Sequence, residues 1–518
     1  MKLLRYCPRL FYDQGYFWMD SAGTKWRFSL DLSSKKIIFA NGGPQNLRQA
    51  EIDLPIVSSE INSCKILNYI GDRANGEGFP KDSAPLFNKK NISIKVIVPK
   101  LASISTEVDP SETYKALELE KVNDFYRANS YGNINLNFEY IQLNNSLNEP
   151  SMDTLNANKI TRRPNLITTS ALQVLKKDYP NISYDVLIIA MPKEYPTFGP
   201  YVASGGFDNS QMWVESLAHH LNDPFLPAWK VIAHEFGHIL GFPDLYSDSN
   251  INGTTSGPFD IMGAGNTKAN ELIFWHRWLL GWLKDDEVTC IADLDDLREV
   301  KLEAINSTSQ GIKGVVVRLS RFKALLIESR RSQGYDSRLK SDEVGIVVYS
   351  LDTQIPTGQG PIRVIPKINE YSNTPYGSNL LDSERFLKAA LGYGQSLDFD
   401  SFKIANISED SGDTLLISTS NKAEKFDLKL REVQASINYK IQKKAEVEAK
   451  AKADAELKAK QEAEAKAKAD AELKAAIEKA ANEKLQNQKK NSITCIKGKS
   501  TKIISGPNPK CPAGYKKK

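Results

Sequence analysis

The stretch VIAHEFGHILGFPDLY, residues 231–246, decides the fold. His234 and His238 stand four residues apart in an apolar run, and positions i and i+4 of an α-helix project from one face. Two neutral imidazoles on one face can bind one Zn²⁺ ion, which needs a third protein ligand and keeps a position open in catalytic sites. The sequence therefore predicts a helix that carries two ligands of a single Zn²⁺.

Glu235 directly follows the first histidine, so its carboxylate can reach the open coordination position. There it can take a proton from the attacking water and pass it to the leaving amine. We therefore predict a zinc-dependent endopeptidase that hydrolyses peptide bonds of protein or peptide substrates, with Glu235 as the catalytic base. The alternative is a non-catalytic secreted or surface binding protein that keeps the same fold. Glu235 favours the enzyme, because a purely structural zinc site needs no base.

The helix is predicted to end just after His238. Gly241 can adopt the left-handed conformation that terminates a helix, and Pro243 prevents the helix from resuming. Asp244 lies six residues after His238, where the chain turns back towards the metal. A carboxylate oxygen binds zinc well, so Asp244 is the predicted third ligand.

Two further residues are predicted to support the site. Met262 lies in the Gly-rich segment GPFDIMGAG, residues 257–265, and 24 residues after His238. In metzincins a methionine turn lies beneath the zinc, although core packing alone would also explain this methionine. Tyr246 is a candidate for stabilising a tetrahedral intermediate or for packing beside the metal turn.

A second metal is also a candidate. Residues 248–253, DSNING, resemble the start of a calcium-binding loop, which makes Ca²⁺ a second candidate cofactor. The twelfth position of such a loop should be acidic, and Phe259 stands there. As a further alternative, the thiolate of Cys64 can cap the zinc in a latent form, since thiolates bind zinc strongly.

The three remaining histidines are predicted to have surface or packing roles. His219 and His220 precede the motif, and His276 lies in the aromatic segment FWHRW at 274–278.

The net charge of +5 conceals a division along the chain. Residues 441–518 hold 20 Lys against 10 Asp and Glu, so the first 440 residues carry a net charge of about −5. A nucleic-acid-binding domain should carry its basic residues on the folded body, so we predict no nucleic-acid partner. The basic C-terminal tail is either a solvated helix or a means of associating with an anionic cell surface.

The sequence leaves the location open. No stretch approaches the roughly 18 consecutive apolar residues of a membrane span, so no transmembrane segment is predicted. The N-terminal sequence MKLLRYCPRLFYDQGYFWMD lacks the continuous apolar segment and the cleavage site of a signal peptide. The protein is therefore either secreted or surface-bound from a start site further upstream, or cytoplasmic.

The pattern before the motif predicts an α/β layer. Apolar runs predict strands, and apolar residues at helical spacing predict helices. The predicted elements are a strand at 92–98, a helix at 110–128, a strand at 136–141, a helix at 168–179 and a strand at 184–190. This alternation indicates a sheet covered by helices.

The pattern after Trp282 is different. Short strands separated by turns predict a β-rich region, and the clearest are at 315–319, 324–328, 344–350 and 414–418. Ala, Lys and Glu then dominate, and the string AKAKADAELKA occurs at 449–459 and 465–475, which predicts a solvated helix. In the last 27 residues, a disulfide between Cys495 and Cys511 is predicted.

Three parts of the chain resemble the immune inhibitor A family of secreted bacterial metallopeptidases, peptidase family M6. The most specific is HEFGHILGFPDLY at 234–246, followed by FDIMG at 259–263. NDFYRANSYG at 123–132 is similar to the helix before that family's catalytic half. ALLIESRRSQGY at 324–335, with VVYS at 347–350, is similar to its post-catalytic β segment.

The resemblance covers about residues 90–420 and implies an extracellular endopeptidase with the three ligands and the base named above. It also implies that residues 1–90 are a pro-region or an accessory domain. The absent signal peptide and the Ala/Lys/Glu helix depart from the family. The last 27 residues resemble a small Cys/Lys-rich module at the ends of exported actinobacterial proteins, which favours a start site further upstream.

The predicted fold class is α+β, with a zincin-like metallopeptidase domain followed by a β-sandwich-like domain, a long helix and a small C-terminal module. The predicted boundaries are 1–90 for the N-terminal region, 91–285 for the metallopeptidase domain, 286–422 for the β-rich domain, 423–491 for the helix and 492–518 for the module.

Overall fold

A computed structural model describes most of the chain. The described residues are 16–19, 25–31, 36–39, 60–69, 76–81, 86, 88–101, 110–147, 163–190, 211–214, 227–246, 256–263, 271–366, 389–408 and 412–518. The candidate calcium segment at 248–253, His219, His220 and Cys7 lie outside them. The chain divides into two compact units, Met1–Val433 and Gln434–Lys518.

The N-terminal part of the first unit contains short elements. Strands β1 (Tyr16–Met19), β2 (Lys25–Asp31) and β3 (Lys36–Phe39) form an antiparallel sheet. Helix α1 (Glu60–Ser63) is a single turn.

A four-stranded parallel sheet carries the layer that the sequence predicts. Its strands are β4 (Asn91–Val98), β5 (Asn135–Gln142), β6 (Val186–Ala190) and β7 (Gln211–Val214). They lie in the order β5-β4-β6-β7, and every neighbouring pair is parallel. The strands predicted at 92–98, 136–141 and 184–190 are therefore confirmed, with ends that differ by one or two residues.

Helices cover this sheet. They are α2 (Pro110–Leu117), α3 (Leu119–Asn129), α4 (Arg163–Asp178) and α5 (Ala228–Ile239). The sequence predicted a single helix at 110–128, and this prediction is wrong in one respect, because the observed helix is broken into α2 and α3 at Glu118. That residue has a φ of 49°, in the left-handed region, which interrupts the helix and redirects the chain.

Alternate residues of the central strands pack on opposite faces of the sheet, as the twofold period of a strand requires. On β4, Ile94 and Val96 face the core that includes Phe236 of α5. Ile97 faces a second core with Leu175 of α4. The central strands β4 and β6 are thus buried on both faces, which is typical of parallel sheets.

Nine strands follow in two sheets. They are β8 (Val288–Ile291), β9 (Arg298–Leu302), β10 (Gly314–Arg318), β11 (Lys323–Arg330), β12 (Gly345–Asp352), β13 (Ile362–Val364), β14 (Ser396–Phe399), β15 (Phe402–Asn406) and β16 (Asp413–Thr419). One sheet has the order β13-β12-β11-β10-β8 and the other β14-β15-β16-β9. The two sheets share an apolar core that includes Val315 and Ile327 from the first and Ile404 and Leu415 from the second.

The opposite face of the five-stranded sheet packs against helix α6 (Phe274–Leu279). A Cβ built on Gly314 would lie 2.1 Å from the Phe274 ring, so only glycine permits this approach. The backbone N–H of Phe274 also donates to the buried carboxylate of Glu328, at 2.7 Å. The β-rich region therefore packs against α6, the helix that follows the turn at Met262.

A disulfide joins Cys64 to Cys290, with 226 residues between them in sequence and a Cα–Cα distance of 5.6 Å. Cys64 is therefore not available as a thiolate cap for zinc, and that alternative is wrong. Instead, the bond attaches the segment after α1 to the start of the five-stranded sheet.

The C-terminal unit is built from a helix and a small sheet. Helix α7 (Ala423–Lys490) begins in the first unit, and every residue from 441 to 489 is exposed, as predicted for a solvated helix. Strands β17 (Ser492–Lys497), β18 (Ser500–Ser505) and β19 (Lys516–Lys517) form an antiparallel sheet in the order β18-β17-β19. The predicted disulfide between Cys495 and Cys511 is present.

The chain is thus a mixed α+β protein with several small sheets and one long C-terminal helix. The domain boundaries at 90, 285, 422 and 491 stay predictions. Among the described helices, none is both long enough and apolar enough to cross a bilayer.

Candidate metal centre

Helix α5 presents the motif. Its N-cap is Pro227 in an extended conformation, and its interior is apolar and largely buried. Its C-terminus is a Schellman motif, in which the N–H of Gly241 donates to the His238 carbonyl at 2.9 Å and that of Phe242 donates to the Gly237 carbonyl at 3.0 Å. Gly241 has a φ of 87°, so the predicted left-handed helix stop is confirmed. The chain then reverses towards the two histidines.

This reversal brings the three predicted ligands together. The Oδ1 atom of Asp244 lies 3.1 Å from Nε2 of His234 and 3.2 Å from Nε2 of His238. The three residues form a group whose ligand atoms all lie within 4.8 Å of one another. In a tetrahedral site with bonds of about 2.0–2.1 Å, neighbouring donor atoms stand about 3.3 Å apart, so the spacing fits a single zinc ion.

Backbone carbonyls set the orientation of both imidazoles. Nδ1 of His234 lies 2.7 Å from the carbonyl of Ile261, and Nδ1 of His238 lies 2.8 Å from the carbonyl of Phe242. A carbonyl can only accept, so each Nδ1 carries the hydrogen and each Nε2 faces Asp244. A hydrogen bond from the ring nitrogen that points away from the ion to a backbone carbonyl is typical of histidines that bind metal.

The electrostatics of the three residues favour a cation. Burial opposes protonation of His238, but its hydrogen bond with Asp244 and the nearby carboxylate charges raise its pKa to about 9. The pKa of His234 is also raised, since the bond with Asp244 and the charge of Glu235 outweigh burial. Burial raises the pKa of Asp244, yet the two histidines hold it well below its usual range. A positive charge is thus stabilised at this point, and a metal would displace the protons.

Glu235 lies beside the ligand group and is only 9% exposed. Its Oε2 atom is buried without a hydrogen-bond partner and lies 3.7 Å from Nε2 of His238. Burial raises the pKa of Glu235, with the two histidine charges opposing that shift. A buried carboxylate oxygen without a partner is costly, so this atom is positioned for a group that binds in the site.

Met262 lies directly beneath the helix that carries the ligands. It is fully buried, and a Cβ built on Gly237 would lie 2.3 Å from its sulfur. Gly237 therefore permits the close contact between α5 and the turn at Met262. Core packing alone would also place a methionine here, so the supporting role of Met262 stays a prediction.

Tyr246 also lies at the site. Its ring is stacked on His234 at a centroid distance of 6.1 Å, and the residue is 37% exposed. The tyrosine therefore borders the ligand group on its accessible side, where both predicted roles are feasible.

Three buried charged residues lie behind the ligands, and only His276 among them was named from the sequence, with a packing role. Glu77, Asp260 and His276 are each fully buried and contact one another through their charged groups. Asp260 belongs to the FDIMG segment, which was the only signal for it in the sequence. No pattern pointed to Glu77, which is 199 residues from its partner His276.

A scan against protein-family models and a search of curated proteins both found no match to this sequence.

Proposed function

We propose that this protein is a zinc-dependent endopeptidase with a zincin-like catalytic domain. The observation that carries the proposal is the convergence of His234, His238 and Asp244 on one point, with the unpartnered carboxylate oxygen of Glu235 beside it. Two imidazoles and one carboxylate are a ligand set that leaves one coordination position open for catalysis.

Each residue has a distinct role in this proposal. His234, His238 and Asp244 hold the ion, and the carbonyls of Ile261 and Phe242 keep the two rings oriented towards it. When bound, Zn²⁺ acts as a Lewis acid and lowers the pKa of a water molecule towards about 7.

Glu235 accepts a proton from the attacking water and returns it to the amine nitrogen as the peptide bond breaks. Its carboxylate lies beside the ligand group, where a general base must stand to reach the attacking water. Tyr246 is the proposed donor to the oxygen that becomes negatively charged, since it borders the ligand group and is partly exposed.

We also propose that the protein acts outside the cytoplasm. Two disulfides, Cys64–Cys290 and Cys495–Cys511, support this location, because such bonds persist in oxidising compartments. Residues 492–518 contain seven Lys and no Asp or Glu, and all seven are exposed. This charge supports association of the C-terminal module with an anionic cell surface.

The test compares digestion of a peptide library by the wild type and by Glu235→Gln, each with and without a chelator. General base catalysis contributes about 10²–10⁴-fold, so the variant should lose that much activity while retaining one Zn²⁺ per chain by elemental analysis. Glu120→Gln, the same substitution at an exposed position of α3, is the matched control and should retain full activity.

Two results would contradict the proposal. If Glu235→Gln cleaves peptides as fast as the wild type, Glu235 is not the catalytic base. A wild-type protein that binds one zinc ion but cleaves no library peptide would favour the non-catalytic binding protein.

A further inference from the structure

Behind the candidate metal centre lies a buried network of three charged side chains, Glu77, His276 and Asp260, which we call the rear network. Nε2 of His276 lies 3.1 Å from both carboxylate oxygens of Glu77. Nδ1 of the same ring lies 2.9 Å from Oδ2 of Asp260. An imidazole with a carboxylate at each nitrogen is held as the cation, and the three side chains are completely shielded from solvent.

Asp260 connects the rear network to the turn beneath the ligands through two backbone hydrogen bonds. Its Oδ1 accepts the N–H of Met262 at 2.8 Å, and its Oδ2 accepts the N–H of Ile273 at 2.9 Å. The side chain therefore fixes the backbone of the turn and joins it to the start of α6.

Two carbonyls of that turn contact the ligand segments. The carbonyl of Ile261 accepts the Nδ1 hydrogen of the His234 ring at 2.7 Å, and the carbonyl of Met262 accepts the backbone N–H of Leu245 at 2.8 Å. Leu245 is the residue next to Asp244. The turn that Asp260 closes thus positions one histidine directly and the carboxylate ligand through the adjacent peptide.

The third ligand is connected through an aromatic contact. The ring of His276 stacks on Phe242 at a centroid distance of 4.1 Å and an interplanar angle of 22°. The carbonyl of Phe242 accepts the Nδ1 hydrogen of His238. His234 and the residue next to Asp244 are thus bonded to the turn that Asp260 fixes, and His238 is bonded to the carbonyl of a residue whose ring stacks on His276.

Glu77 reaches the network from a segment far away in sequence. Its carbonyl accepts the indole N–H of Trp275 at 2.9 Å. Lys81 donates to the carbonyl of Gly76 at 2.5 Å and also to that of Gly241, the glycine that ends α5. Together with the Cys64–Cys290 disulfide, these bonds build residues 60–69 and 76–81 into the rear of the site.

We propose that the rear network positions all three zinc ligands, and that residues 60–69 and 76–81 are a permanent part of the metal site and not a removable pro-region. This inference rests on the proposed zinc function. Glu77, His276 and Asp260 are positioning residues, since none of them belongs to the candidate ligand group and each acts through other residues.

The test measures Zn²⁺ affinity by competition with a chromophoric chelator, using the full-length wild type and Glu77→Gln. Outer-shell partners of metal ligands are typically worth about 10–100-fold in affinity, and we expect a loss of that size. The visible spectrum of the Co²⁺-loaded protein should also change, because the geometry of the ligands is altered. The melting temperature of the metal-free protein is recorded for each variant.

Asp413→Asn is the matched control. Asp413 is a buried carboxylate that contacts Ser329, Arg331 and Asn406 in the β-rich region. This variant should lower the melting temperature of the metal-free protein while its Zn²⁺ affinity stays within twofold of the wild type.

The outcomes separate the two proposals. If the wild type binds Zn²⁺ and Glu77→Gln binds it equally well, the rear network is only structural and this inference fails, whereas the proposed function stands. If the wild type binds no Zn²⁺, both fail. If Glu77→Gln does not fold, the same measurement is made on Glu77→Asp, which keeps the negative charge but has a side chain one methylene shorter. Weakened Zn²⁺ binding by Glu77→Asp would support the proposal, and unchanged binding would overturn it.

Discussion

The sulfur of Met262 lies 2.3 Å from the position that a Cβ on Gly237 would occupy, so the ligand helix and the turn beneath it are in direct contact. Gly237 stands inside α5, where glycine ordinarily weakens a helix relative to alanine. Its presence is explained by the space that the methionine needs.

We therefore expect Gly237→Ala to be destabilising. Overpacking of a core costs about 1–3 kcal/mol, which exceeds the gain of up to about 1 kcal/mol from better helix propensity. Chemical denaturation of the metal-free protein measures the change. In the double variant with Met262→Ala, the added methyl group should cost much less than it does alone, and simple additivity would show that the two residues are not coupled.

Gly241→Ala should affect both stability and metal binding. A left-handed conformation costs a residue with a Cβ roughly 1–2 kcal/mol, and here the strain falls on the turn that delivers Asp244. Gly132→Ala is the matched control, since its φ of 81° is similar and a Cβ there would meet nothing within 4 Å. Both variants should lose similar stability, but only Gly241→Ala should bind Zn²⁺ more weakly. Equal Zn²⁺ affinities would show that the turn tolerates the change.

The disulfide between Cys64 and Cys290 should stabilise the first unit strongly, because it closes a long loop. Replacing both residues with serine is expected to lower the free energy of unfolding by about 2–4 kcal/mol. The comparison is the double serine variant of Cys495 and Cys511, which alters only the C-terminal unit. That second variant should leave the melting transition of the first unit unchanged. A first-unit transition that is the same in both variants would contradict the prediction.

His276 should make stability depend on pH in the alkaline range. Burial opposes its charged form, but the carboxylates of Glu77 and Asp260 raise its pKa to about 10, against 6.5 for an ordinary histidine. Because the folded-state pKa is the higher one, this stabilisation is fully present below about pH 6.5 and is lost as the pH rises through about 10.

The free energy of unfolding of the metal-free protein, measured by denaturant titration from pH 6.5 to 9.5, should therefore fall as the pH rises. The pKa values of His234 and His238 are also raised, so these residues contribute to the same fall, and the comparison with Glu77→Gln isolates the part due to His276. Glu77→Gln removes one of the two negative charges beside His276, so the folded-state pKa of His276 should be lower. The stabilisation that the charged His276 provides should therefore be lost at a lower pH than in the wild type. An NMR titration that finds His276 neutral at pH 8 in the wild type would refute this account.

Local patterns predicted much of the structure. The strands at 92–98, 136–141 and 184–190 were predictable because short runs of continuous or alternating apolar residues are typical of strands. The stop at Gly241 was also predictable, since it depends on the conformational freedom of one residue and the following proline. The break at Glu118 was not, because nothing in its side chain favours a left-handed conformation.

The residues 231–246 by themselves determined a helix with two imidazoles on one face, a glycine stop and a carboxylate after the reversal, since all of these depend on neighbours in sequence. Only the tertiary structure decided what holds them in place. The Cys64–Cys290 disulfide and the contact between Glu77 and His276 each join residues about 200 or more positions apart in sequence. Such contacts arise when whole helices, strands and loops pack together, and the short-range pattern of residues in the sequence does not predict them.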